Sequence, residues 1–288
     1  MSFLTQNYLT RGFWGDEAWT ALISQFSLPD ILRITGEDFH PPLYYFLVHF
    51  FIVVFGASEW IRAVSTLFFL LTVVAVYFLA REFVGRGEAT LLAILTLTSP
   101  ILVTYAFEAR AYALVALIST ASTLLFWLAL KTRRWRWWGL YILLGMAGMY
   151  THYYLWFIFA AHGVYWLAFS RQQFKRVVVT YLLMLAGQVP WIPTLLSQVG
   201  SVAGNYWIAP ITSQTHWEFF IRVTAGDDGV PQQKFVAVVV AVLLGISLLT
   251  MVIDVLPGRG RPGIPSSGAA LLPPSRRERR LIPVHGWT

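Results

Sequence analysis

The chain has 288 residues, 57% of them apolar and only 12% charged, and it contains no cysteine. This balance lies outside the range of water-soluble domains and points to a membrane protein, and the lack of cysteine excludes disulfides and thiolate metal sites. The formal charge of +7 does not call for a nucleic-acid partner, because in a membrane chain the side on which each charge sits matters more than the sum.

Residues 1–12 are polar and hold no apolar run, so they read as neither a signal peptide nor a first span. "GFWGDEAWTA" (12–21) then places adjacent carboxylates, Asp16 and Glu17, between Trp14 and Trp19. An acid ahead of "EAWTALISQF" fits a helix start with a favourable macrodipole contact. The flanking tryptophans allow another reading, a carboxylate at a membrane surface made more basic by desolvation. In "DFHPPLYY", Pro41 and Pro42 fit the first turn of a helix, which explains the prolines but not His40. The apolar segment 42–56 has about 15 residues, or roughly 22 Å of helix, against a hydrocarbon core of roughly 30 Å.

Longer apolar runs place spans at 61–80, 88–105, 111–130, 177–196 and 235–253. Residues 137–170 run too long for one span, and "YTHYY" divides them into two short ones, giving seven crossings. Glu108 and Arg110 in "FEARAYAL" lie at the edge of a span, where a plain surface ion pair contributes little and an ionisable group is costly enough to point to function. "YTHYY" contributes Thr151, His152, Tyr153 and Tyr154; a hydrogen-bonded loop role explains His152 as well as a functional one does. "GNYWIAP" in the loop 197–234 adds Tyr206 and Trp207, and the Pro-, Gly- and Arg-rich tail 254–288 reads as disordered.

Whether 42–56 crosses decides the side of everything after it. If it does not cross, the connections 81–88, 131–137 and 171–176 share a side with the tail and carry 15 of the 21 Lys and Arg. Ten of the 14 acids, Asp16, Glu17 and Glu108 among them, then fall on the opposite side. If it crosses, this segregation is lost, so 42–56 is expected to lie in the extracytoplasmic interface. The expected organisation is an all-α polytopic membrane protein. An extracytoplasmic first loop with interfacial helices (1–60) precedes a transmembrane domain (61–253) with an outer loop at 197–234, and the tail 254–288 is cytoplasmic. A first loop outside with no span ahead of it implies that a preceding helix is missing from the sequence.

The acidic pair followed in order by "HPPLYYFLVHFFIVVFGASEWIRAVS", "LAREFVGRGEATLLAILTLTSPI", "FEARAYAL", "YTHYY" and "PWIPTLL" resembles the GT-C superfamily of membrane glycosyltransferases. Over about residues 13–210 the chain is most similar to the bacterial protein-mannosyltransferase and aminoarabinose-transferase branch. That resemblance implies inverting transfer of a sugar from a polyprenyl-phosphate carrier in the bilayer to a hydroxyl of a protein, lipid or glycan, on the outer face of the cell (inner) membrane. On this reading Asp16 is the base, with Glu17 as its alternate or as a metal ligand, and Arg110 binds the phosphate. Glu108 positions Arg110 or meets the acceptor. Tyr153, Tyr206 and Trp207 line a sugar or prenyl groove, while His40 and His152 donate to phosphate or bind a divalent metal, which some relatives use. The alternatives are an inactive fragment of such an enzyme, and a transporter or flippase for lipid-linked sugars. A transporter would place ionisable groups within the spans, where His162 is the exception to an almost uncharged interior.

Overall fold

A computed structural model describes residues 11–171, 173–204, 212–226 and 231–255, all of the regular structure among them helical. Tyr206, Trp207 and the tail after residue 255 lie outside the described residues, as does the polar start before Arg11. Three short helices come first: α1 (Gly15–Ile23), α2 (Leu28–Glu37) and α3 (Leu43–Phe55). Ser27 starts α2 by accepting the Asp30 N–H at 3.4 Å, and Pro29 occupies the first turn, where its missing N–H costs no bond. α3 begins behind Pro41 and Pro42, gives its first N–H, that of Leu43, to the Tyr150 carbonyl, and stops at Gly56 with φ +85°. Its 13 residues make about 20 Å of helix, too short to cross a bilayer alone.

The longer helices follow as α4 (Arg62–Ala80), α5 (Arg86–Leu97), α6 (Pro100–Ala106), α7 (Tyr112–Thr132), α8 (Trp135–Met149), α9 (Leu155–Tyr165), α10 (Phe174–Ala186), α11 (Ile192–Gly204), α12 (Ser213–Ala225) and α13 (Pro231–Val255). Among the described residues, three segments are long and apolar enough to span: α4, α7, and α10 continued into α11 as far as Ser201. α5 and α6 make a fourth if taken together, although they meet at 59°. Pro100 causes that bend, because it has no N–H to give and holds Ser99 in an extended conformation (φ −64°, ψ 118°). The expected pair of crossings in 137–170 appears as α8 and α9, of 15 and 11 residues, the second prolonged by a π turn at Trp166–Ser170. Among the described residues, length and composition thus support three spans, or four with the bent pair; the expected seven also counts α8, α9 and α13 as crossings.

α4 and α7 run side by side in the same direction. At one end the Ser65 hydroxyl donates to the Arg110 carbonyl at 3.1 Å, and at the other Lys131 meets Glu82 at 2.8 Å. α8 returns beside α7, and Gln173, ahead of α10, donates to the Ala129 and Leu130 carbonyls. Residues 82, 131, 133, 173 and 176 therefore meet at one end of the bundle, whereas Asp16, His40, Arg110 and His152 meet at the other. The basic connections and the candidate site are thus kept apart.

The core is aromatic. Trp138, Tyr141, Phe126 and Phe159 pack between α7, α8 and α9, and α8 comes close because Gly148 has no side chain: a Cβ there would lie 3.0–3.3 Å from Ile118, Leu155 and Phe159. His162 belongs to this core. Its ring stacks on Phe126 with centroids 4.8 Å apart, and its two nitrogens engage Thr123 (3.1 Å) and Tyr141 (3.0 Å). With both nitrogens satisfied, the ionisable group expected inside the spans is a structural residue. Leu, Val and Phe side chains cover the outer faces of the helices, as lipid-facing surface requires.

Candidate active site

The site is organised by a buried ion pair. Arg62 stands at the first turn of α4, where the helix dipole disfavours a cation. Glu17, in the first turn of α1, supplies the compensating charge: Arg62 Nε donates to Glu17 Oε1 at 2.7 Å and Nη2 to Oε2 at 2.6 Å, with both side chains inaccessible to solvent. The same guanidinium donates to the Arg11 carbonyl (2.6 Å) and the Gly12 carbonyl (3.2 Å), and it lies over the Phe13 ring. Glu17 also accepts the Ala109 N–H at 2.9 Å and the Trp14 N–H at 3.4 Å. Burial alone would raise the Glu17 pKa, but the hydrogen bonds from Arg62 and Ala109 outweigh it and hold the carboxyl below its ordinary range.

Glu17 is therefore corrected from alternate base and metal ligand to a joint between α1, α4 and the turn that carries Arg110. Both its oxygens are occupied, and no solvent reaches them. Asp16, its neighbour in sequence, points the other way. It is half exposed, at 49%, and its Oδ2 lies 3.3 Å from Nη2 of Arg110, which is only 8% exposed. The same Arg110 nitrogen lies 3.5 Å from His40 Nε2, while His40 Nδ1 faces Asp38 Oδ2 at 3.4 Å. With Arg110 as the donor, His40 is an acceptor at Nε2 and carries its proton at Nδ1, toward Asp38. Burial pushes the Asp38 pKa up, yet the hydrogen bonds from His40 and from the Phe39 N–H bring it below its usual range. Burial likewise lowers that of Arg110, but its contacts with Tyr112 and the charge of Asp16 more than restore it.

His152, in the turn between α8 and α9, approaches His40 edge-on with ring centroids 5.9 Å apart. Burial, followed by the nearby His40 and Arg110, lowers its pKa to about 4, so it is neutral at physiological pH. Glu108 is half-buried on the same turn as Arg110, and its carboxyl is raised by burial and by the negative charge of Glu17. Thr20, His40, Tyr45, Arg110, Tyr112 and His152 line a narrow cleft between α1, α3 and the two turns.

The structure thus brings Asp16, His40, Arg110 and His152 together. Tyr153, expected in a sugar or prenyl groove, is not available there: its hydroxyl accepts from Trp191 Nε1 at 3.0 Å and donates to Gln198, whose amide donates to the Thr35 carbonyl at 2.9 Å. It joins the turn between α8 and α9 to α11, and Gln198 in turn ties α11 to α2. The expected metal ligands do not form a set either. Glu17 is bonded to Arg62, the Arg110 guanidinium stands at His40, and among the described residues no group of three or more His, Asp or Glu could hold an ion. Sequence reasoning missed Arg62, which lay at the edge of a predicted span, although the rule that flagged Arg110 applies to it equally. It also missed Asp38 and Gln198, whose partners are contacts that no local spacing reveals.

A protein-family model described as dolichyl-phosphate-mannose-protein mannosyltransferase matches residues 39–196, more than half of the chain. The chain belongs to this family. No curated protein and no solved structure matches it. The match to the mannosyltransferase family takes in His40, Arg62, Arg110 and His152, and begins after Asp16 and Glu17. Membership implies a membrane glycosyltransferase that uses a lipid-linked sugar donor.

Two outcomes follow for stability in detergent. Replacing Arg62 or Glu17 singly by Leu leaves a buried charge alone and is expected to cost about 3–5 kcal/mol, whereas the double replacement costs less than the sum of the two; denaturation midpoints of the four proteins measure this, and additive losses would refute the coupling. As pH falls from 6.5 toward about 4, the unfolded chain takes up a proton that the folded His152 refuses. The unfolding midpoint should therefore drop over this window and less steeply in His152→Gln; identical profiles would contradict the burial argument.

Proposed function

We propose that this chain is an inverting glycosyltransferase of the bacterial protein-mannosyltransferase or aminoarabinose-transferase type. It moves a sugar from a polyprenyl phosphate to an acceptor hydroxyl of a protein, lipid or glycan. The observation that carries the reading is the contact of half-exposed Asp16 with buried Arg110 at the mouth of the cleft. A reaction whose leaving group is a phosphate needs a fixed cation for the departing charge and a carboxylate for the attacking proton. Arg110 fills the first role, since its guanidinium can bind two phosphate oxygens. Asp16 fills the second: it takes the acceptor proton while the sugar carbon changes partner, and attack opposite the leaving phosphate inverts that carbon.

His40, held through Nδ1 by Asp38, stands beside Arg110 at the phosphate, and neutral His152 closes the same wall. Glu108, half-buried on the same turn as Arg110, is assigned to positioning Arg110 or to meeting the acceptor. No metal takes part in this scheme, because Arg110 occupies the position facing His40. The site is assigned to the extracytoplasmic face of the cell membrane. The gathering of the basic connections at the far end of the bundle supports this, since Lys and Arg favour the cytoplasmic side.

With labelled polyprenyl-phosphate sugars and native membranes as the acceptor source, Asp16→Asn is expected to slow transfer about a hundredfold to ten-thousandfold, whereas Glu37→Gln on the exposed face of α2 leaves it unchanged. Transfer by Asp16→Asn at the normal rate would remove Asp16 as base. Orientation is checked by introducing single cysteines into this cysteine-free chain. A membrane-impermeant maleimide added outside should label Ala57→Cys in intact cells and Val84→Cys only after permeabilisation, and labelling of both from one side would overturn the assignment.

A further inference from the structure

Arg110 raises a question of charge. At 8% exposure its guanidinium needs an anion beside it, and among the described residues Asp16 is the carboxylate that meets it. The contact is a single one, 3.3 Å through one nitrogen, unlike the two-pronged Arg62–Glu17 pair at 2.6 and 2.7 Å. The proposed base is therefore held by the proposed phosphate ligand.

We infer that Asp16 and the phosphate of the lipid donor compete for the Arg110 guanidinium, so that seating the phosphate turns Arg110 away and releases the Asp16 carboxylate to act as base. The inference rests on the roles given to these two residues above and adds a rule for when the base becomes available. Asp16 is free to leave: it is half exposed, and in the first turn of α1 the helix dipole favours its charge without a partner. Its departure leaves α1 in place, because the neighbouring Glu17 anchors the helix to Arg62 and to the Ala109 N–H. The Arg110 backbone is also fixed, since its carbonyl accepts from Ser65, whose hydroxyl also bonds Tyr44 at 2.7 Å. Only the end of the arginine side chain has to move.

The exchange also fits the course of the reaction. The acceptor O–H gives its proton to Asp16 as its oxygen bonds to the sugar carbon; the bond from that carbon to the phosphate oxygen breaks, and its electron pair stays on the phosphate. The phosphate then gains a negative charge while Asp16 becomes neutral, so Arg110 is drawn further from Asp16 as the transition state is approached. When the lipid phosphate leaves, Asp16 returns its proton to water and pairs with Arg110 again. An acceptor that arrives before the donor meets a base that is already engaged.

The test is a double-mutant cycle read by binding. Polyprenyl phosphate is titrated into the full chain in nanodiscs, as wild type, Asp16→Asn, Arg110→Gln and the double variant, with inorganic phosphate as a parallel probe. Removal of the competing carboxylate should tighten polyprenyl phosphate binding about fivefold in the wild-type background and less than about twofold beside Arg110→Gln. Arg110→Lys replaces the glutamine variant if that one fails to fold, with an intermediate coupling expected. Unchanged or weaker binding by Asp16→Asn overturns the inference. So does equal tightening in both backgrounds, which would mean simple repulsion between two anions, and so does tightening for inorganic phosphate alone, which would exclude the lipid as the competing anion. Sugar transfer is measured separately: its absence in the wild type would sink the proposed function, whereas the binding cycle decides the exchange.

Discussion

Arg62 and Glu17 hold the site in place. The two residues are 45 positions apart, and each would be untenable alone in the dry space they share. Together they join the start of α1 to the start of α4, and through the Ala109 N–H they fix the turn that presents Arg110. The length of α4 then sets the distance between the site and the basic connections, so one pair settles both where the reacting groups stand and which end of the bundle carries them.

The neighbouring residues Asp16 and Glu17 show how a helix start divides its labour. Successive positions on a helix face different directions, so of two acids side by side one turns inward and the other toward the cleft. Glu17 gives up all its acceptor capacity to structure, whereas Asp16 makes a single, half-exposed contact with Arg110. The Ser65 hydroxyl plays a comparable part on the other side, joining α3 through Tyr44 to the Arg110 carbonyl.

Much of this was legible in the sequence. The all-helical membrane class followed from composition, and the short α3 from the length of the run after the two prolines. The grouping of Asp16, His40, Arg110 and His152 at one end follows from the segregation of basic and acidic connections along the chain. Two features were not legible. An apolar run does not show where a helix bends, so Pro100 passed as a span interior although it divides α5 from α6 at 59°. Side-chain partners far apart in sequence were also hidden: nothing near Glu17 names Arg62, and nothing in "YTHYY" names Gln198, so two residues taken for chemistry proved to be fasteners.

The bend at Pro100 also affects how the protein meets the bilayer. A broken helix leaves carbonyls without their usual N–H partners, and hydrocarbon offers no substitute. Here the Thr98 hydroxyl turns back onto the Ile94 and Leu95 carbonyls, at 3.1 and 3.3 Å, just where the ladder is interrupted. Beside it α4, α5 and α6 enclose an open furrow lined by Leu79, Leu92, Leu95 and Leu102. An oily chain lying in that furrow would therefore meet leucine side chains, with the Leu95 carbonyl nearby already engaged by the Thr98 hydroxyl.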